Sequence, residues 1–206
     1  FMIHDDPALK KRVNKHLATS GLRIKKPVQV KHFSRILFEE VGFDEISRHI
    51  TRPLEGFSFA PHYGCHYLKP SEIHGNFDNV ENPESLDKLI EITGANAIDL
   101  DGRKDCCGGA VLAVKPDITY DMAARKLDQL KAKGADGMVL ICPFCAVVFD
   151  DNQRTIESAK NTSYNLPVLY YPQLLGLAMG FTDKALGLKL NKVKTKALLQ
   201  KMAGDE

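Results

Sequence analysis

Met138-Val139-Leu140-Ile141-Cys142-Pro143-Phe144-Cys145 decides the fold. Four apolar residues in a row, without the alternation of a half-exposed strand, read as a strand buried on both faces. Proline fixes φ and lacks an N–H, which suits the first turn of a helix. Cys142 and Cys145 therefore stand where a strand ends and a helix begins. Strands of this kind belong to parallel sheets covered by helices, and ligand sites gather at the edge where their C-terminal ends lie.

The same order recurs on either side. Residues 56–65 read as a strand that breaks at Pro61 and leaves Cys65 just past its end, followed by a polar loop over 67–82. Pro83 opens a helix carrying Leu86, Leu89 and Ile90, which Gly94 stops. Ala97-Ile98-Asp99-Leu100 is a short strand leading to Asp105-Cys106-Cys107-Gly108-Gly109. Asp117 is the expected N-cap of a helix bearing Ala123, Leu127 and Leu130, stopped by Gly134. Leu166-Pro167-Val168-Leu169-Tyr170-Tyr171 is a last strand, with a helix through Leu175 and Leu177 after it; Tyr170 and Tyr171 read as packing residues. Nearer the start, 7–20 is an exposed basic helix ended by Gly21, and Pro27-Val28-Gln29-Val30 is an extended piece. Val30, Phe33, Leu37 and Val41 recur at helical spacing up to Gly42, with Lys31 and His32 on the polar face. Strands alternating with helices predict an α/β fold with a mainly parallel sheet and cysteines at the C-terminal ends of strands.

Composition narrows the function classes. The chain has 206 residues, 44% hydrophobic and 26% charged, enough for a real core. A net charge of +2 gives no basic surface of the kind nucleic acid requires. No apolar run approaches the roughly 20 residues of a membrane span. No export signal is visible, although the chain begins at Phe1 rather than Met. Five cysteines, an odd number, argue against a disulfide framework and for a reducing, cytoplasmic setting.

An internal similarity suggests the domain organisation. Phe1-Met2-Ile3-His4-Asp5-Asp6, a helix, Pro27-Val28, a helix and Gly42-Phe43 run parallel to Ala146 through Asp151, a helix, Pro167-Val168, a helix and Gly180-Phe181. Residues 1–50 are accordingly expected to be the tail of a first repeat and a linker, 51–182 the cysteine-bearing domain, and 183–206 a basic helical tail, either solvated or docked. A longer natural protein with a second cysteine set upstream follows as an expectation.

All five cysteines fall in one pattern, C-x40-CC-x34-CxxC. Thiolates near backbone N–H groups and a helix start are soft metal ligands. Adjacent side chains on an extended chain point opposite ways, and a turn allowed by Gly108 and Gly109 lets both Cys106 and Cys107 face one site. Structural zinc needs only four ligands, and a thioredoxin-like dithiol at Cys142 and Cys145 leaves Cys106 and Cys107 without a role. An iron–sulfur site accounts for all five. Around these residues His62 and His66 have two readings, hydrogen bonding to cluster sulfurs or, preferred, ordinary polar loop residues. Lys69 and Arg103 likewise read as solvated charge before they read as anion-binding groups.

At these cysteines the sequence resembles the CCG, or cysteine-rich, domain family found in the B component of heterodisulfide reductase. Related domains occur in glycolate and lactate oxidation systems, thiol:fumarate reductase and one type of succinate:quinone reductase anchor. The resemblance, strongest over residues 57–182, implies that Cys65, Cys106, Cys107, Cys142 and Cys145, with Gly108 and Gly109 shaping the turn, hold a noncubane [4Fe–4S] cluster. It implies a second cluster from an upstream half, the two facing each other across a substrate disulfide that is split in two one-electron steps, as in methanogenesis. It also implies two partners in a heterodisulfide reductase complex, the iron–sulfur C component and the flavin-bearing A component. A thiol or disulfide substrate of the CoM-S-S-CoB type, and no nucleic acid, complete the expectation. The alternative is an electron-transfer subunit of a hydroxy-acid oxidase or a succinate/fumarate–quinone complex.

Overall fold

The computed structural model describes residues 2–26 and 30–204, divided into two compact units, Phe1–His32 and Phe33–Glu206. The expected extended piece at 27–30 lies largely outside the described residues. In the first unit Pro7 opens the helix Pro7–Leu17, and the Asp6 carboxylate caps it by accepting from the N–H groups of Ala8 and Leu9. No residue of this helix is buried, and Gly21 ends the turn that follows it at φ 70°. The returning segment is pinned by Asn14, whose amide accepts from Ile24 N–H at 2.7 Å and donates to Ile24 O at 3.2 Å.

The second unit is built on four strands, β1 (Ser58–His62), β2 (Asn96–Ala97), β3 (Gly137–Leu140) and β4 (Val168–Tyr170), all parallel in the order β2-β1-β3-β4. Successive side chains go to opposite faces, so β1, β3 and β4 each feed two cores, while β2 gives Ala97 to one. Phe59, Val139 and Leu169 meet Leu86, Leu89 and Ile90 of the helix Ser85–Glu91 and Leu174 of Tyr171–Ala178. Ala60, Met138, Leu140 and Val168 meet Leu127 and Leu130 of Pro116–Ala132 and Ile156 of Gln153–Lys160. The sheet is thus covered on both sides, as the apolar run 138–141 required.

Several local expectations change. β1 does not break at Pro61: the strand runs through it to His62, with Pro61 opposite Val139. Phe57 and Phe59 bond towards β2 and Ser58 towards the β3 side. Pro61 therefore turns its missing N–H to the side where β2 has already ended at Ala97, and no ladder bond is lost. The stretch 97–100 forms only the two-residue β2. Lys115, not Asp117, is the N-cap of the long helix; Pro116 takes its first position and Asp117 sits in its first turn. The expected helix from Val30 begins at Phe33, after Lys31 and His32, and continues as a π-helix over Ile36–Val41. Of the apolar residues Val30, Phe33, Leu37 and Val41, Leu37 is buried, while Val30 is 84% exposed. Within the loop 67–82, Tyr67 and Leu68 belong to the core. The C-terminal segment is docked: Leu188, Val193 and Leu198 are buried, and the Asp150 carboxylate accepts from the N–H groups of Lys192 and Val193 at 2.8 and 2.9 Å.

Candidate metal centre

β1 and β3 lie side by side, so the segments leaving their C-terminal ends emerge together. From β1 the chain passes Gly64 and enters the short helix Cys65–Leu68; from β3 it passes Cys142 and enters Pro143–Ala146. Gly64 has φ 71° and ψ 144°, a conformation only glycine adopts readily. A Cβ there would lie 2.9 Å from Cys142 Cβ and 3.8 Å from the sulfurs of Cys142 and Cys145. The absent side chain is what lets the two segments approach.

Cys106 and Cys107 arrive differently from the expectation. They follow a turn-rich loop well beyond β2 rather than a strand end. Gly108, at φ 77°, reverses the chain, and the N–H groups of Gly108 and Gly109 point at the sulfurs of Cys106 and Cys107, at 3.3 and 3.4 Å. A Cβ on Gly109 would meet the Phe144 ring at 2.8 Å, so this loop lies directly on the helix that carries Cys145.

The cysteines grade from core to surface, and none is in a disulfide. Cys107 and Cys145 are buried, Cys142 is intermediate, and Cys65 and Cys106 are exposed. The Cys145 thiol donates to Cys107 Sγ at 3.5 Å. That donation, helped by His62 and the Gly109 N–H against the opposing effect of burial, lowers the Cys107 thiol to about 4. The same hydrogen bond, then burial, pushes Cys145 up. The hydrogen bond thus favours the thiolate at Cys107 and the thiol at Cys145.

His62 is a strand residue, 1% exposed, not the polar loop residue expected. Its ring packs edge-on against Phe149, with centroids 4.9 Å apart. A ring nitrogen of His62 and the sulfurs of Cys107 and Cys145 all lie within 4.8 Å of one another. Burial lowers its pKa, against the pull of Cys107. Lys126, absent from the sequence-based candidates, stands behind it with Nζ 3.3 Å from His62 Nδ1. The signal was present: Lys126 interrupts the apolar stripe Ala123, Leu127, Leu130 on the inward face of its helix. Of the other candidates, His66 and Lys69 are exposed. Arg103 is no solvated charge: it donates to Pro83 O at 2.9 Å and pairs with Asp87 at 3.0 Å and Asp99 at 2.6 Å.

A cavity of about 430 Å³ adjoins Pro143 and Ala146, at the end of β4. Tyr170, Asp151 and Leu190 form part of its wall. Among the described residues no helix is long and apolar enough to cross a membrane.

The donor set fits an iron–sulfur cluster. The candidate ligands are soft sulfurs, backbone N–H groups already aim at two of them, and His62, whose ring has one nitrogen within 4.8 Å of two of the sulfurs, keeps its buried Nε2 without a hydrogen-bond partner.

Comparisons with known proteins agree in kind. Residues 59–150 match the model of the Cysteine-rich domain family, CCG. The chain is 37% identical to the B component of the Ferredoxin:CoB-CoM heterodisulfide reductase of Methanosarcina mazei, over 96% of this chain and 66% of that protein. It is 36% identical to the B component of the Ferredoxin/F(420)H(2)-dependent CoB-CoM heterodisulfide reductase of Methanosarcina acetivorans, over 97% of this chain and 67% of that one. The chain thus spans about two thirds of the length of these relatives. Among solved structures, a hypothetical protein from Helicobacter pylori shares the fold, with a TM-score of 0.68 at 16% identity, covering 94% of this chain and 34% of that one.

Proposed function

From the premise that this chain belongs to the cysteine-rich CCG domain family, close to the B components of heterodisulfide reductases, we propose that it is the iron–sulfur part of a disulfide-reducing oxidoreductase. Cys65, Cys106, Cys107, Cys142 and Cys145 would hold a noncubane [4Fe–4S] cluster. Bound there, the cluster supplies single-electron transfer at a thiophilic metal. The observation that carries the reading is the unbonded pair of sulfurs, Cys107 and Cys145, 3.5 Å apart at the C-terminal edge of the sheet.

The chain's own residues divide the remaining work. Gly108 and Gly109 hold their N–H groups against two sulfurs and so favour negative charge there. Buried Cys107 and Cys145 anchor the site in the core, while exposed Cys65 and Cys106 form the edge that a small thiol or disulfide of the CoM-S-S-CoB type reaches. Electrons would come from two partner proteins in the cytoplasm, one carrying further iron–sulfur clusters and one carrying a flavin.

Residues 1–50 are read as the closing part of a first repeat, from the internal sequence similarity. Gly42 and Gly180, its matched glycines, both have positive φ, 78° and 82°. On that reading the whole protein carries a second cluster opposite the first.

The test is iron and acid-labile sulfide per chain in anaerobically purified protein, with EPR of the oxidised, thiol-treated sample. Matched iron and sulfide with a thiol-dependent signal is the expected result. A cluster without thiol response moves the assignment to an electron-transfer role in a hydroxy-acid or quinone-linked system. Zinc without sulfide overturns both.

A further inference from the structure

Lys126 is 5% exposed, and the groups it hydrogen-bonds are all neutral. The ammonium donates to Gly102 O at 3.0 Å, Arg103 O at 3.3 Å and Asp105 O at 3.5 Å, and reaches His62 Nδ1 at 3.3 Å. No carboxylate is among these partners. A buried cation without an anionic partner is costly, so such a residue persists where a negative charge arrives from elsewhere. The charges that hold Lys126 protonated against burial are those of Asp105, Cys145, Cys107 and Cys106, three of them from the cysteine set. Burial acts the other way and lowers its pKa, while the three carbonyl oxygens around Nζ only accept, as a charged ammonium requires.

The contact with His62 has a second consequence. An ammonium has only donors, so Nδ1 must accept, and the ring proton is fixed on Nε2. Nε2 is the ring atom left buried without a hydrogen-bond partner, on a ring that sits beside two cysteine sulfurs. We propose that Lys126 and His62 are a paired positioning device for the cluster site. Lys126 fixes the His62 tautomer so that Nε2–H is offered to the sulfur set, and it places one positive charge behind that N–H. This rests on the iron–sulfur reading above. Both elements favour the more negative, reduced state, so together they raise the reduction potential of the cluster these cysteines hold.

The experiment compares intact anaerobic holoprotein as wild type, Lys126→Met and Lys126→Arg. Potentiometric titration should place Lys126→Met lower by at least about 59 mV, the one-electron equivalent of a tenfold change. Lys126→Arg, which keeps the charge, should stay near wild type. ENDOR of the wild type in H2O and D2O, with histidine ¹⁵N-labelled, should detect an exchangeable histidine N–H proton coupled to the cluster. Its loss in His62→Phe should confirm the assignment. A folded, iron-loaded Lys126→Met at the wild-type potential overturns the proposal and reduces Lys126 to a clamp on the loop. Should that variant not fold, absence of the histidine coupling in the wild type overturns it by itself. Absence of iron and sulfide from the wild type is a different failure, which removes the cluster reading and this inference with it.

Discussion

The sulfurs of Cys107 and Cys145 approach to 3.5 Å without a covalent bond, although 37 residues separate them in the chain. One accepts and the other donates, so the pair is held as thiolate and thiol. Cys107→Ser removes the sulfur that accepts from Cys145 and is expected to lose the iron load. Because metal binding and folding are linked, the variant should also melt at a lower temperature than the iron-loaded wild type. Metal analysis and calorimetry decide it; an undiminished iron content would end the ligand assignment for Cys107.

The same pair makes the cluster-free chain oxidation-prone. A thiolate beside a second thiol is the arrangement from which disulfides form, and the Cys107 thiol is held at about 4. Mild oxidation of chelator-treated protein should link Cys107 to Cys145 ahead of other pairings. Differential alkylation with peptide mass mapping reads the linkage, and preferential joining of Cys65 to Cys106 would contradict it.

Gly64→Ala tests how tightly the two cysteine segments are set. The backbone conformation alone costs about 1–3 kcal/mol for a residue with a side chain. The new methyl would also press on Cys142 at 2.9 Å. Gly56→Ala is the control, since Gly56 also has positive φ, 81°, but open space around its Cβ position. Both variants should be less stable in urea, and only Gly64→Ala should lose iron as well.

Tyr63 and Asp87 join β1 to the helix Ser85–Glu91. The Tyr63 hydroxyl donates to the Asp87 carboxylate and accepts from the N–H groups of Leu86 and Asp87 at 3.1 and 3.2 Å. Tyr63→Phe strands these partners and should cost about 1–3 kcal/mol in chemical denaturation. Burial, opposed by Tyr63 and Arg103, raises the Asp87 pKa above its usual 3.8. The folded state then binds the proton more tightly than the unfolded one. This contribution to stability is full below the unfolded pKa and is lost as pH rises through the folded one. Asp87→Asn should flatten that acid-side slope in urea titrations at a series of pH values; an unchanged slope would assign it to other groups.

What the sequence made legible was whatever one segment dictates by itself. The apolar run from Met138 reads as a doubly buried strand, which forms over Gly137–Leu140, and Gly94 and Gly134 end helices at φ 88° and 65° because side chains resist that conformation. What it hid depends on neighbours distant in sequence. Pro61 looks like a strand breaker until β2 is seen to stop short of it. His62 looks like a loop residue because that supposed break sets it outside the strand. Lys126 looks like a misplaced charge on an apolar stripe until His62 and the carbonyls of Gly102, Arg103 and Asp105 surround it. Arg103 reads as surface charge because neither Asp87 nor Asp99 is recognisable as its partner from spacing alone. The cysteines were conspicuous for the opposite reason, since their residue type and clustering need no partner to be noticed.

The strand order β2-β1-β3-β4 also sets the sequence of events in the protein's making. β1 and β3 are neighbours in space, but β2 and the long helix Pro116–Ala132 are synthesised between them. Cys65 cannot meet Cys142 until that whole stretch has emerged and β3 has paired. Contacts of such wide sequence separation form slowly, because chain closure must precede their reward. No nascent fragment ending before β3 contains the site, so on the iron–sulfur reading a cluster could be delivered only once β3 has emerged and paired. On the same reading, chain that folds before iron and sulfide reach it would hold Cys107 and Cys145 side by side and open to oxidation.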